Sequence, residues 1–209
     1  MDARVTGRRL PRLLLLLLVL AVLLWSAIQP KDRFTWWLEV SPVLIALPLM
    51  IATARRFPLT PLLYAAVAVH MIILMVGGHY TYADMPLFNW LRDAFGLARN
   101  HYDRVGHLAQ GFVPALAARE ILLRKTPLKP GAWLFVLVTC VCLAVSAAYE
   151  LIEWGVAEAS GDEAVAFLAT QGDPWDTQKD MALALLGSVL AQLALARLQD
   201  RQLARLVRS

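Results

Sequence analysis

Ionisable residues recur at helical spacing at three places in a chain that is otherwise mostly apolar. Residues three or four positions apart share one face of a helix, so each pair can present both of its side chains to one partner. Such groups are costly next to hydrocarbon and usually mark a functional site. The three pairs are Asp103 with His107, Glu150 with Glu153, and Asp176 with Asp180.

Carboxylates and imidazoles on facing helices are the groups from which helical bundles build metal sites. Carboxylate oxygens suit Mg²⁺, Mn²⁺ or Ca²⁺, and an added imidazole permits Zn²⁺. A metal at this place would polarise a phosphate or activate water. We therefore predict a divalent-cation site, with Glu153 as general base and Glu150 as a second catalytic carboxylate. The predicted ligands are Asp103, His107, Glu150, Asp176 and Asp180.

Four further residues extend this candidate polar site. His70 lies near the middle of an apolar segment, where it either bonds across helices or serves as a ligand or proton relay. His79 stands at a loop edge and could ligate. Gln171 and Asp173 belong to the polar stretch that enters the last apolar segment.

A structural interpretation of the same residues stays open. Asp103 could pair with Arg99 or Arg104, and the aspartates that precede the last apolar segment could be helix N-terminal acids favoured by the helix dipole. Glu150 and Glu153 close a predicted helix at its C-terminus, where the dipole disfavours negative charge, so a structural role explains them less well.

The composition points to a helical membrane protein. The 209 residues are 59% hydrophobic, above the roughly half that is typical of soluble domains. Several apolar stretches reach about 17 residues or more, and the alternating segments of a membrane barrel are absent from the sequence. The net charge of +4 comes from short basic blocks beside apolar segments, which indicates membrane topology and not nucleic-acid binding. Cys140 and Cys142 point to different helix faces and should not pair.

We predict an all-α bundle of about six transmembrane helices, forming a single integral membrane domain over 1–209. The first segment resembles a signal peptide, but its long core and the lack of a small-x-small site favour an uncleaved anchor. The fourth is the most polar. A short amphipathic helix is predicted over Met85 to Leu91. The six spans lie near 10–28, 38–54, 61–79, 105–123, 132–152 and 180–198.

The distribution of basic residues predicts the orientation. With the N-terminus inside, 14 Lys and Arg residues fall on the cytoplasmic side and six on the other side. Cytoplasmic loops carry the excess of Lys and Arg, so both termini should be cytoplasmic and the polar motifs should face the periplasm.

Two stripes of small residues predict packing seams. They are Cys140, Ala144 and Ala148, and Ala184, Gly187, Ser188 and Ala191.

Five long motifs are spread over nearly the whole chain: His79–Ala83, Tyr102–His107, Gln110–Pro114, Tyr149–Trp154 and Thr170–Met181. Together they resemble the YjdF family of bacterial inner-membrane proteins. The resemblance implies a multi-spanning protein of the bacterial cytoplasmic membrane, and it carries no catalytic role because that family has no assigned activity. A shorter pattern, Asp103 with His107, Glu150, and Asp176 and Asp180 with Gly187, is similar to VanZ-like proteins by analogy alone.

The sequence thus favours an inner-membrane protein whose periplasmic Asp/Glu/His site binds a divalent metal or acts on a lipid-linked or envelope headgroup. The expected partners are the bilayer and such a substrate, and not nucleic acid. Two alternatives remain: a small proton-coupled transporter in which His70 and Glu150 titrate, and a structural or partner-binding protein. A path across the membrane past His70 would favour transport, whereas a closed inner side would favour an enzyme or binder.

Overall fold

The computed structural model describes residues 3–160 and 169–207, and within them the chain is helical with no strand. A single 3₁₀ turn, Tyr82–Asp84, follows the third helix. This confirms the all-α prediction. The seven α-helices are α1 (Ala3–Ala27), α2 (Arg33–Thr53), α3 (Pro61–Tyr80), α4 (Pro86–Phe95), α5 (Tyr102–Lys125), α6 (Ala132–Ser160) and α7 (Asp176–Val207).

Five of these helices, α1, α2, α3, α6 and α7, are long and apolar enough to cross a membrane. The remaining predicted span, the fourth, corresponds to α5, whose 24 residues give a length of about 36 Å at 1.5 Å per residue. Its mean hydropathy is too low for it to qualify alone, since it carries the polar residues discussed below. The helix α4 confirms the predicted amphipathic segment, and none of its residues is buried.

Local sequence signals explain where the helices begin and end. Asp32 caps α2 by accepting a hydrogen bond from the Thr35 amide at 2.6 Å. Thr60 caps α3, and Pro61 occupies the first turn, where its missing N–H costs nothing. At the end of α4, Gly96 adopts a φ of +62° and terminates the helix, a conformation that glycine reaches without strain.

The helices α5 and α7 form a parallel pair at the centre of the bundle. Two glycines allow the close approach, because a methyl group at Gly111 would overlap the backbone of Ala184 and one at Gly187 would overlap the carbonyl of Leu108. The buried residues Ala184, Ser188 and Ala191 confirm the predicted seam on α7. Helices α3 and α6 pack on this pair, while α1 and α2 pack chiefly on α3.

The seam predicted on α6 is wrong, because Cys140, Ala144 and Ala148 are exposed. The buried face of α6 is offset from that stripe and mixes large and small residues, so it packs against α5 and α7 and leaves the stripe outside. Neither cysteine is in a disulfide, as predicted. The buried face runs through Leu134, Val138, Cys142, Ser146 and Glu150, each four residues after the last.

A buried polar network closes the end of the bundle where α5 and α7 finish. Glu120 is fully buried and accepts hydrogen bonds from the Thr60 amide at 3.1 Å, from the Thr60 hydroxyl at 2.8 Å and from Arg124 at 2.9 Å. Nearby, Arg119 forms an ion pair with Asp200 at 2.8 Å. These contacts tie α3, α5 and α7 together at the end opposite the three acidic motifs.

Candidate functional site

The parallel packing of α5 and α7 brings three predicted ligands together. Asp103 and His107 lie on the first two turns of α5, and Asp180 lies on the second turn of α7. Each offers one ligand atom, and the three atoms lie within 4.8 Å of one another. All three residues are buried. The glycine contact at Gly111, one turn below His107, sets the helix separation that allows this convergence.

The His107 ring is oriented by its own helix. Its Nδ1 lies 3.0 Å from the side-chain oxygen of Gln110, and an amide oxygen accepts but does not donate, so Nδ1 carries a proton. In the neutral ring, Nε2 then presents a lone pair towards Asp103 Oδ1 at 3.3 Å and Asp180 Oδ1 at 3.8 Å. Three acceptors facing one another repel unless a proton or a cation lies among them.

Glu150 approaches the same histidine from α6. It ends the buried face of that helix, so its carboxylate points into the bundle, where it is 7% exposed. Its Oε1 lies 3.7 Å from His107 Nδ1 and makes no hydrogen bond within the described residues. The structure therefore places Glu150 beside the three converging residues, with one carboxylate oxygen free to accept a further ligand.

Two arginines bind the outer carboxylates of the cluster. Arg99 lies 3.3 Å from Asp103 and also contacts Asp176, whose Oδ1 accepts from Arg104 as well. Arg104 further contacts Asp180. Asp176 is thus engaged by both guanidinium groups and lies outside the group of three ligand atoms. The pairing of Asp103 with the arginines, left open by the sequence, is present.

The loop before α7 is fastened to the start of α5. Gln171 receives a hydrogen bond from the Asn100 amide and donates one to the Asn100 carbonyl, both at 2.9 Å. Asp173 lies 3.2 Å from Arg104 and 2.6 Å from Lys179. The hydrogen bond from Lys179 holds the pKa of Asp173 below its ordinary value. Gln171 and Asp173 therefore position the arginines and do not face the three ligand atoms.

A cavity of about 200 Å³ adjoins Asp103 and His107. Glu153 and His70 line it, and His70 Nε2 is buried without a hydrogen-bond partner in the described chain. Burial raises the pKa of the Tyr82 phenol well above its ordinary value, so the phenol stays protonated. The remaining lining residues are Glu39, Pro42, Leu74, Tyr82, Gly106, Gln110, Pro114, Val145 and Tyr149.

The sequence interpretation missed several of these residues. Glu39 carried a signal, because a lone carboxylate inside an apolar span is itself a functional indicator. Gln110, Tyr82 and Tyr149 carried none beyond their place in the motifs. His79, by contrast, lies away from the cluster: its Nδ1 is 3.1 Å from the Ser26 carbonyl, and its ring packs on Trp25 at 4.4 Å between centroids.

The site holds more acid than base. Its acidic groups outnumber its permanent cations by seven to three, which leaves four negative charges when every carboxylate is ionised and His107 is neutral. Buried charge of one sign is unfavourable without compensation, so protons or bound cations must offset this excess. The acids are Glu39, Asp103, Glu150, Glu153, Asp173, Asp176 and Asp180, and the cations are Arg99, Arg104 and Lys179.

Comparison with known proteins agrees with the membrane architecture. The chain is 53% identical over 184 residues to the inner membrane protein YjdF of Escherichia coli strain K12, which covers 88% of each chain. No solved structure matches it. The protein is accordingly a multi-pass protein of the bacterial inner membrane and lies in the lipid bilayer. A family model described as "Predicted membrane protein (DUF2238)" matches residues 11–201, and the chain belongs to that family.

Proposed function

We propose that this membrane protein binds a divalent cation between Asp103, His107 and Asp180 and uses it to act on a lipid-linked or envelope headgroup. The convergence of the two carboxylate oxygens and the imidazole Nε2 within 4.8 Å carries the proposal. One nitrogen and two oxygens suit Zn²⁺ or Mn²⁺ better than Mg²⁺ or Ca²⁺, which prefer oxygen alone.

Two features of the surroundings support a cation at this point. Gln110 fixes the imidazole so that Nε2 faces the carboxylates, as the outer hydrogen-bond partner of a metal-bound histidine does. The excess of acidic over basic groups favours binding of a cation. Three protein ligands also leave coordination positions open, which is the arrangement of catalytic and not structural zinc sites.

The adjoining cavity gives the cation access to a substrate. Glu153 lines it together with Asp103 and His107, so it is placed to act as the general base of metal-assisted hydrolysis or transfer. Glu150, with its unpaired Oε1 beside His107, is the nearest further carboxylate and serves as a fourth ligand or second acid. Both termini would be cytoplasmic and this cavity periplasmic, as the basic residues predict.

The described contacts favour a binder or enzyme over a carrier. His70 lines the cavity, as a transporter would require. Below it, however, Leu63, Leu116 and Leu134 are almost fully buried, and the Glu120 network closes the far end. The structural alternative accounts for Asp173 and Asp176, which the arginines engage, and a protonated His107 would pair with Asp103 and Asp180, but it leaves Glu150 Oε1 without a hydrogen-bond partner among the described residues.

The proposal is tested by metal binding in detergent. Protein dialysed against a chelator is titrated separately with Zn²⁺, Mn²⁺, Mg²⁺ and Ca²⁺, while calorimetry measures stoichiometry and the melting temperature reports stability. We expect one ion per chain, and stabilisation of about 2.7 kcal/mol at a free concentration 100 times Kd. His107→Gln should abolish the effect, and Gln110→Leu should weaken affinity about 10–100-fold.

His79→Gln is the matched control, because it removes a histidine of the same end of the bundle that lies outside the cluster. It should bind metal as the wild type does. Glu153→Gln should also keep its metal, since its proposed role is in the chemistry. The metal proposal fails if no divalent ion raises the melting temperature of the wild type, or if His107→Gln responds equally.

A further inference from the structure

The cavity beside the proposed metal site carries two carboxylates that lack a cationic partner. Glu39, from α2, is 5% exposed, and Glu153, from α6, lies across the same space. Neither forms an ion pair with any residue in the described part of the chain, whereas Asp103, Asp176 and Asp180 are all paired. A buried carboxylate without a cationic partner needs a proton or a positively charged ligand to offset its charge, and a cation between Glu39 and Glu153 would serve both.

The remaining walls select the kind of cation. Tyr82 and Tyr149 place phenol rings on the cavity, and Leu74, Val145 and Pro42 supply apolar surface. Among the described residues, the ligand atoms that converge closely enough for a metal ion belong to Asp103, His107 and Asp180, and that group does not include Glu39, Glu153 or His70. An organic ammonium group gains from carboxylates, from aromatic faces and from apolar contact with its carbon atoms. The lining therefore fits an amine better than a second metal.

His70 supplies a third polar contact. Its Nε2 lines the cavity, is buried, and has no hydrogen-bond partner among the described residues. A primary ammonium carries three N–H donors, enough for both carboxylates and this nitrogen, whereas a quaternary ammonium carries none. The cavity should thus distinguish a primary amine from its trimethylated form.

The position of the cavity indicates how a ligand enters. Its walls include α2 and α6, yet α2 packs chiefly on α3, and α6 packs on α5 and α7. Between them, Val145 on the cavity wall is 44% exposed, and it lies on α6, a helix long and apolar enough to cross the membrane. A group that enters here comes from the bilayer, and about 200 Å³ admits a small headgroup while the acyl chains stay outside.

We propose that this cavity binds the primary ammonium group of a lipid headgroup, held by Glu39, Glu153 and His70. The proposal extends the proposed function and rests on it for the reaction, since the bound headgroup would lie beside Asp103 and His107. It assigns to Glu39, Tyr82 and His70 the recognition of the substrate class.

The test compares three probes added to the metal-loaded protein in detergent: short-chain phosphatidylethanolamine, short-chain phosphatidylcholine and free ethanolamine. Binding is followed by the rise in melting temperature, and metal content is measured on the same samples. We expect the ethanolamine lipid to bind at least tenfold more tightly than either other probe. Glu39→Gln should weaken it at least tenfold without loss of metal.

Glu158→Gln is the matched control, because Glu158 lies on α6 with Glu153 but is exposed, and it should bind as the wild type does. Val145→Trp fills the cavity while leaving every carboxylate in place, so it must also lose binding; it decides the matter if Glu39→Gln does not fold. Equal binding of the two lipids, or unchanged binding in Val145→Trp, overturns the proposal.

Two further outcomes separate this site from the metal site. If the wild type binds a second metal ion that Glu39→Gln loses, and the binding of the amine is unchanged, the cavity is a divalent-cation site and the amine proposal is overturned. Ethanolamine binding as tight as the lipid would overturn entry from the bilayer. Amine binding by a wild type that holds no metal would defeat the proposed function alone.

Discussion

Replacing Gly111 with alanine should separate the two helices that build the candidate site. A methyl group there would lie 2.7 Å from Ala184 Cα and closer still to the Ala184 carbonyl, against an optimal separation of about 3.5 Å or more. The obstructing atoms belong to the backbone, so no side chain can rotate away. The helices α5 and α7 must therefore move apart by more than about 1 Å, since the carbonyl oxygen is nearer still.

Two losses follow from that displacement. Overpacking of this kind costs about 1–3 kcal/mol of stability. Metal ligands tolerate only about 0.2 Å of displacement, and Gly111 lies one turn from His107, so Asp180 would move out of range of Asp103 and His107. We expect the affinity for the divalent cation to fall at least about 100-fold, which corresponds to about 2.7 kcal/mol.

Calorimetric titration and thermal unfolding in detergent measure both effects on the same preparation. Gly155→Ala is the control, since Gly155 lies within α6 with no atom near its potential methyl group, and alanine there should stabilise the helix by up to about 1 kcal/mol. If Gly111→Ala keeps the melting temperature and the metal affinity of the wild type, the close α5–α7 contact does not set the site geometry.

Three further predictions concern the ion pairs and the topology. Arg104→Met leaves buried carboxylates without their cation and should lower the free energy of unfolding by about 3–5 kcal/mol. Arg92→Met, which breaks an exposed pair, should leave the stability nearly unchanged in the same denaturation assay. Lys179→Met should raise the pKa of Asp173 towards its ordinary value, and an NMR titration measures that pKa. In the wild type, the stabilisation of the folded state by ionised Asp173 is complete above the ordinary pKa and is lost as the pH falls through the lowered pKa. Reporters fused to the C-terminus and inserted between α6 and α7 should lie on opposite sides of the membrane, and a shared side would contradict the six-span orientation.

Hydropathy and local periodicity were sufficient to predict the helices. Each apolar segment became a helix because a chain in hydrocarbon must satisfy its backbone groups internally. The observed helices extend past the predicted spans, as in α6, which continues to Ser160, and α7, which continues to Val207. Hydropathy cannot predict where these helices end, because the polar residues of their last turns lie outside the apolar segment that hydropathy detects.

The partners within the site were harder to predict. Spacing shows that Asp103 and His107 share a face, but not that this face meets Asp180. That contact depends on the parallel register of α5 and α7, which Gly111 and Gly187 set through backbone contacts that no local pattern reports. The same limitation explains the wrong seam on α6, where small residues suggested a packed face but the neighbouring helices contact a different one.

The distribution of charge across the site argues against a purely structural role. If the acids served only to hold helices together, each would be expected to pair with an arginine, lysine or helix terminus. The arginines do engage the carboxylates at the outer edge. Glu39, Glu150 and Glu153 lack such a partner among the described residues, although Glu39 and Glu150 are as buried as the paired aspartates. A fold that keeps its least compensated charges beside a cavity leaves that cavity ready for a cation, and the metal and amine titrations measure whether one binds.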